Sequence, residues 1–169
     1  MKNLLLAVVV SIGLAACAAN IPNPIDASTR SSLKYENYSF NWAITPEQSN
    51  ASSAREVMRD FEKRLQENLP NKLRPIYRGN KPVEVKITAT SLYLPGLGMN
   101  WLTGASPTIH TKVAIIDKQN GETLGEYPII AMWVNTHGLL TGIVQRSMSR
   151  GNALGNIFIN DLATSLDRK

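Results

Sequence analysis

The feature that most constrains this chain is an apolar run from Leu4 to Leu14, which stands shortly before its only cysteine, Cys17. The run supplies about half of the roughly 20 apolar residues that a helix needs to cross the hydrocarbon core of a bilayer. The basic start at Lys2 and the small residues that follow the run are typical of an export signal that is removed. We therefore expect residues 1–16 to take no part in the fold.

The composition predicts one globular domain that depends on its hydrophobic core. A chain of 169 residues with 43% hydrophobic residues is long enough to bury a sizeable core. With one cysteine it forms no internal disulfide and no cysteine-cluster zinc site, and two histidines offer little for any other metal centre. The net charge is +5, but the basic residues are scattered along the chain, so we expect no nucleic-acid partner.

The four residues Leu14-Ala15-Ala16-Cys17 closely resemble the lipobox of bacterial lipoproteins. In that family the cysteine receives a diacylglycerol, the signal peptide is cut before it, and the new amine takes an acyl chain such as palmitate. The resemblance implies the same lipids on Cys17, and no other cofactor. The alternative is that Cys17 is an incidental residue of an ordinary signal peptide, cut after an Ala-x-Ala-like site.

The residue after the cysteine indicates which of the two bacterial membranes would hold the anchor. Ala18 stands where an aspartate would resemble the inner-membrane retention signal of Gram-negative lipoproteins. In a Gram-negative host, its absence implies the outer membrane, with the domain on the periplasmic face.

The mature chain divides into a tether and one domain. We predict a signal peptide over residues 1–16, the lipidated cysteine with a flexible tether over 17–35, and a single domain over 36–169. Alternation with period two predicts four strands, and helical spacing of apolar residues predicts two helices. The strands are expected near residues 38–44, 83–89, 108–117 and 123–134, and the helices near 53–69 and 152–166. The order β-α-β-β-β-α predicts an α+β fold in which both helices cover one face of an antiparallel sheet.

Local signals predict where some of these elements begin and end. Ser53 and Glu56 match a capping box at the start of the first helix, and Pro70 is expected to end it. The pair Asn120-Gly121 predicts a tight turn between the third and fourth strands. Pro128 lacks an amide donor, so the fourth strand is expected at a sheet edge or with a bulge.

Two uncharged apolar stretches are the candidate binding surface. The first runs from Leu92 to Leu102 between two predicted strands, and the second covers Leu139 to Val144 before the last helix. If exposed, they would form a contact surface for an envelope protein or lipid. The alternative is that both fold back and cap the open end of the core. The candidate contact residues are Leu94, Leu97, Met99, Trp101, Leu102, Leu140 and Ile143.

No recognisable catalytic centre is present in the sequence, which predicts a protein that is not an enzyme. There is no Gly-x-Ser-x-Gly elbow, and the glycines near Gly96 lack the spacing of a phosphate loop. The alternative is a hydrolase of an envelope polymer in which His110 or His137 works with a carboxylate. A third possibility is a structural spacer that binds its partner through the sheet edge near Pro128.

The segment from Val83 to Tyr127 resembles a widespread family of bacterial lipoprotein domains of unknown function. The likeness lies in the connection from Leu94-Pro95-Gly96 to Gly104 and in the turn around Asn120-Gly121. It implies a lipid-anchored binding or assembly protein of the cell envelope and brings no catalytic residues. The expected partners are the membrane, through the lipid anchor, and an envelope protein or lipid.

Overall fold

The computed structural model describes residues 23–44, 51–95, 105–134 and 149–168. They form one four-stranded sheet in the order β1-β2-β3-β4, with three helices. The elements are α1 (Ala27–Ser32), β1 (Leu33–Trp42), α2 (Ala51–Leu73), β2 (Lys81–Tyr93), β3 (Thr108–Asp117), β4 (Thr123–Met132) and α3 (Arg150–Asp167). The predicted α+β class, its four strands and its two main helices are confirmed. Within the described ranges, no helix is both long enough and apolar enough to cross a membrane.

The sheet is mixed, whereas the sequence predicted an antiparallel one. Strand β1 pairs with β2 in parallel, while β2–β3 and β3–β4 are antiparallel. The reason is the connection, because α2 carries the chain back along the sheet before β2 begins, and a helical crossover of this length joins parallel neighbours. Strands β1 and β4 form the two edges of the sheet. The prediction that the strand with Pro128 is an edge strand is therefore confirmed.

One face of the sheet carries the core, as the alternation predicted. Val85, Ile87 and Val113 on the central strands are fully buried beneath α2 and α3. An aromatic group joins three elements there: the ring of Phe61 on α2 lies 5.7 Å from that of Trp42 on β1 and 5.6 Å from that of Phe158 on α3. The core is therefore a single layer between the sheet and two helices.

Helix α2 is longer at both ends than predicted. It begins at Ala51, so Ser53 lies inside the helix and is not its cap. It also continues past Pro70 to Leu73, and the amide of Arg74 donates to the carbonyl of Pro70 at 3.1 Å. Proline costs the helix one hydrogen bond, but the extra turn buries Leu73 completely, and burial of a leucine is worth about 1.5–3 kcal/mol.

The chain joins the domain at Asn23, inside the segment predicted as a flexible tether. The Asn23 amide donates to the carbonyls of Arg168 and Leu166 at 3.3 and 3.4 Å, and its oxygen accepts from the Tyr127 hydroxyl at 2.5 Å. Ile25 is buried against Gly125, and α1 then leads into β1. The tether predicted for residues 17–35 is corrected here, because polar contacts of Asn23 and burial of Ile25 hold a stretch that has no periodic pattern.

The two ends of the sheet differ in character. The turn end carries the turn from Asp117 to Glu122, in which Gly121 has a φ of 76°, together with Asn23 and α1. At the opposite end, the loop end, β1, β2 and β4 finish and α2 and α3 begin. A ten-residue strand such as β4 separates the two ends by about 33 Å.

A buried carboxylate closes the turn end. Asp117 is 1% exposed and accepts from the Lys81 ammonium at 2.8 Å and from the amide of Gln119 at 2.9 Å. These two hydrogen bonds, that from Lys81 foremost, lower the pKa of the Asp117 carboxyl. A second ion pair, between Lys112 and Glu126, has the same length of 2.8 Å but lies half exposed on the sheet.

Two glycines allow α2 and α3 to touch. Gly151 faces the backbone at Val57, and Gly155 faces Arg64, so the two helices run side by side in the same direction. A methyl group on Gly155 would lie 2.8 Å from the β-carbon of Arg64, and one on Gly151 would overlap the carbonyl oxygen of Val57. This close approach leaves no room for a side chain.

We expect Gly151→Ala and Gly155→Ala each to lower the free energy of unfolding by about 1–3 kcal/mol, as overpacking typically does. Helix propensity alone predicts the opposite, a gain of about 1 kcal/mol for alanine over glycine. Urea unfolding measures the effect, and Asn160→Ala on the exposed side of α3 is the matched control, expected to be neutral or slightly stabilising. Increased stability in both glycine variants would contradict the close packing of α2 and α3.

We expect Asp117→Asn to lower stability at pH 7 more than Glu126→Gln does, because ion pairs on exposed surfaces contribute little. Since folding lowers the pKa of Asp117, its contribution is fully present above the ordinary carboxyl pKa of about 4 and is lost as the pH falls through the folded value. Urea midpoints measured between pH 7 and pH 2 should therefore converge for Asp117→Asn and the unaltered protein in acid. A constant gap at every pH would show that the charge of Asp117 does not contribute.

Candidate partner-binding surface

Four large apolar side chains are exposed together at the loop end. They lie on the side of the sheet that faces away from the helices, and we call them the apolar patch: Tyr93 (51% exposed), Ile130 (52%), Met132 (47%) and Val134 (57%). Tyr93 and Met132 flank the same residue of β3, Thr108, in the strand register. Two strand spacings therefore separate them by about 10 Å, and Thr108 is buried between them.

The rest of this outer face carries charged side chains beside the partly exposed Ala114 and Ile116 and the exposed Pro128. Toward the turn end it carries the Lys112–Glu126 ion pair, with Lys86 exposed on the neighbouring strand. The face therefore changes from charged to apolar along the length of the same strands. Such a local concentration makes this end of the face a candidate contact surface, because exposed apolar residues scattered singly over a surface would need no explanation.

The patch lies where both predicted apolar connections leave the sheet. Tyr93 ends β2, directly before the first connection, and Met132 ends β4, directly before the second. The second connection rejoins the described chain at Ser149, whose hydroxyl accepts from the amide of Asn152 and so caps α3. The Ser149 side chain also hydrogen bonds to Asp60 on α2 and lowers the pKa of that carboxyl.

Only one of the seven predicted contact residues lies in the described part of the chain. Leu94 is half-buried and packs against the core, so on this connection the exposed side chain is that of its neighbour Tyr93. The other six predicted contact residues, together with the lipidation residue, lie outside the described residues: Leu97, Met99, Trp101, Leu102, Leu140, Ile143 and Cys17.

The histidine of the hydrolase alternative is also on the outer face. His110 is exposed on β3, where its cross-strand neighbours are Ser91 on β2 and Ile130 on β4. The alternative needs a carboxylate to orient the imidazole, and neither neighbour is an acid. His137 lies outside the described residues, and within the described ranges no group of three histidine, cysteine or acidic side chains is arranged to hold a metal ion.

None of the four residues in the patch is among the predicted contact residues, although Tyr93 lies inside the predicted stretch from Leu92 to Leu102. Ile130, Met132 and Val134 were assigned to a half-buried strand, whose outward positions are normally polar. The signal that identifies them is the loss of alternation after Pro128, where apolar residues occupy both faces of β4: Tyr127, Ile129 and Ala131 are buried, and Ile130 and Met132 are exposed. An uninterrupted apolar run on an edge strand therefore indicates a second apolar surface.

Comparisons with known proteins find likeness only among solved structures. No protein-family model matches the chain, and no curated protein sequence matches it either. The PelC dodecamer from Paraburkholderia phytofirmans is 12% identical, with 86% of this chain and 92% of that chain covered and a TM-score of 0.39. The lipoprotein GNA1162 from Neisseria meningitidis is 15% identical, with 68% and 94% covered and a TM-score of 0.30. A minor lipoprotein from Acinetobacter baumannii is 11% identical, with 80% and 93% covered and a TM-score of 0.33.

Proposed function

We propose that this protein is an acylated lipoprotein of the bacterial cell envelope, anchored through Cys17 on the periplasmic face of the outer membrane. Its function is to bind another envelope protein through the apolar patch, without catalysis. The sequence that supports the anchor is the lipobox from Leu14 to Cys17, which is preceded by an apolar run too short to span a bilayer.

The observation that supports binding is the concentration of exposed apolar side chains at one end of one face. Tyr93, Ile130 and Met132 are each about half exposed, and the polar side chains of Ser91 and His110 lie beside them. An apolar centre with a polar rim is the usual layout of a protein–protein contact. Tyrosine and methionine are also enriched in such contacts relative to the rest of a protein surface.

The anchor is tested by changing its attachment point. We expect Cys17→Ser to abolish incorporation of labelled palmitate and to leave a precursor that keeps residues 1–16, because the thiol that takes the diacylglycerol is gone. Labelling in cells and intact-mass measurement check both results, and Ser11→Ala within the apolar run is the control that keeps both lipidation and cleavage. Palmitate labelling of the Cys17→Ser protein would contradict an anchor at this residue.

Partner binding is tested by photo-crosslinking in the native envelope. A benzophenone amino acid at Tyr93 is expected to form an adduct with one envelope protein, and the same group at Lys86, exposed on the same face, is expected to form none. Ile130→Ser together with Met132→Ser should reduce the Tyr93 adduct at least tenfold, because burial of each large apolar side chain is worth about 1.5–3 kcal/mol.

Two results would contradict this function. One is a Tyr93 adduct that persists undiminished in the double serine variant, and the other is equal labelling from Tyr93 and Lys86. Urea unfolding of the double variant is the accompanying control, and its midpoint should be unchanged because both side chains lie on the exposed face.

A further inference from the structure

A groove runs along the open side of the domain between edge strand β4 and helix α3, and we call it the seam. It consists of two adjoining hollows that share Pro128, Ile129, Ser165 and Arg168 in their walls. The hollow nearer the turn end has a volume of about 70 Å³ and is also bounded by Pro24. The hollow nearer the loop end has a volume of about 220 Å³ and extends to Ile130 and Asp161.

The first described residues of the chain already occupy the part of this groove nearest the turn end. Ile25 and Pro24 contact Gly125 on β4, and Asn23 bridges the Tyr127 hydroxyl and the last carbonyls of α3. The seam continues from Pro24 toward the loop end. The residues that precede Asn23 therefore leave the described structure at the mouth of an open, partly apolar groove.

We propose that residues 18–22 dock in the seam as an arm, with Ile21 against Pro128 and Ile129. The arm sequence Ala18-Ala19-Asn20-Ile21-Pro22 carries no charge, and the hollow nearer the turn end offers it the apolar side chains of Pro24, Pro128 and Ile129, beside the charged Glu126 and Arg168. Five extended residues reach about 17 Å, which matches the rise of five residues of β4. The arm packs by side-chain contact, because Pro128 offers no amide to a neighbouring strand.

The docked arm decides which end of the domain meets the membrane. This step rests on the proposed function, since it needs the lipid on Cys17. An arm that follows the seam brings Cys17 to the loop end, beside Ile130 and Met132, so the apolar patch lies at the membrane surface. An undocked arm would instead leave the turn end nearest the lipid, within about 20 Å of Cys17, because only the five residues of the arm separate Cys17 from Asn23.

Disulfide trapping tests the docking. Ala19→Cys is combined with Asp161→Cys, on the seam, or with Lys72→Cys, which lies on the other side of the C-terminal end of α3 beside Arg168. A docked arm raises the effective concentration of the two thiols, so the Ala19–Asp161 disulfide should form with diamide about tenfold faster than the Ala19–Lys72 disulfide. Ile21→Asp should remove this difference, because it places a charge in the apolar part of the seam.

Trapping separates a failure of the docking from a failure of the anchor. The same pairs are oxidised in the native envelope and in the Cys17→Ser precursor, and preference for Asp161 in both supports the docked arm whether or not Cys17 is acylated. Equal rates for Asp161 and Lys72 would overturn the proposal and leave the seam free for an external peptide or a second copy of the chain. If the protein that keeps Cys17 takes up no palmitate but still forms the Ala19–Asp161 disulfide preferentially, only the anchor is overturned.

Fluorescence quenching tests the orientation. The acylated protein is reconstituted into vesicles of phosphatidylethanolamine and phosphatidylglycerol that contain a headgroup quencher. It carries one fluorophore, at Ile130→Cys on the loop end or at Asn120→Cys on the turn end. The Ile130 label should be quenched more strongly, and Ile21→Asp should reverse the order. Stronger quenching at Asn120 in the chain with Ile21 intact would overturn the orientation.

Discussion

The fold depends on the burial of one phenylalanine between three elements. Phe61 has no exposed surface and brings Phe40 and Trp42 of β1 together with Phe158 of α3. Aromatic pairs at such distances contribute about 0.5–1.5 kcal/mol each beyond the area that they bury. Because no disulfide is available, this group and the aliphatic residues around it hold the edge strand β1, its crossover helix and the last helix in one unit.

That arrangement separates the tasks of the two faces. The inward face is covered by α2 and α3, which approach closely because Gly151 and Gly155 of α3 present no side chains to α2. Among the described residues no helix or strand covers the outward face, so its composition is free to vary along the strands. The turn end is closed by polar groups, among them Asp117 and Asn23, while the loop end retains the apolar patch. The inward face of the sheet thus carries the core, and the outward face carries the surface chemistry.

The sequence predicted the elements better than their connections. Strand β3 was placed at residues 108–117, as found, because its alternation is regular and the Asn120-Gly121 turn fixes its end. The parallel pairing of β1 and the passage of α2 through Pro70 were not predictable from local signals, because both are decided by tertiary burial. For the candidate surface, the segments that lead into the predicted apolar stretches lie at the same end of the sheet as the apolar patch. The exposed residues of β4 could not be predicted, because periodicity does not show which face of a strand is left exposed.

Pro128 has a further consequence for encounters between copies of this protein. Edge strands with apolar flanks can template pairing with identical strands of neighbouring molecules, and such pairing grows into fibres. On β4 the missing amide of Pro128 interrupts the row of donors that a second copy would need, close to Ile130 and Met132. Two copies that meet along this apolar edge therefore lack a continuous ladder of hydrogen bonds between them and remain separate.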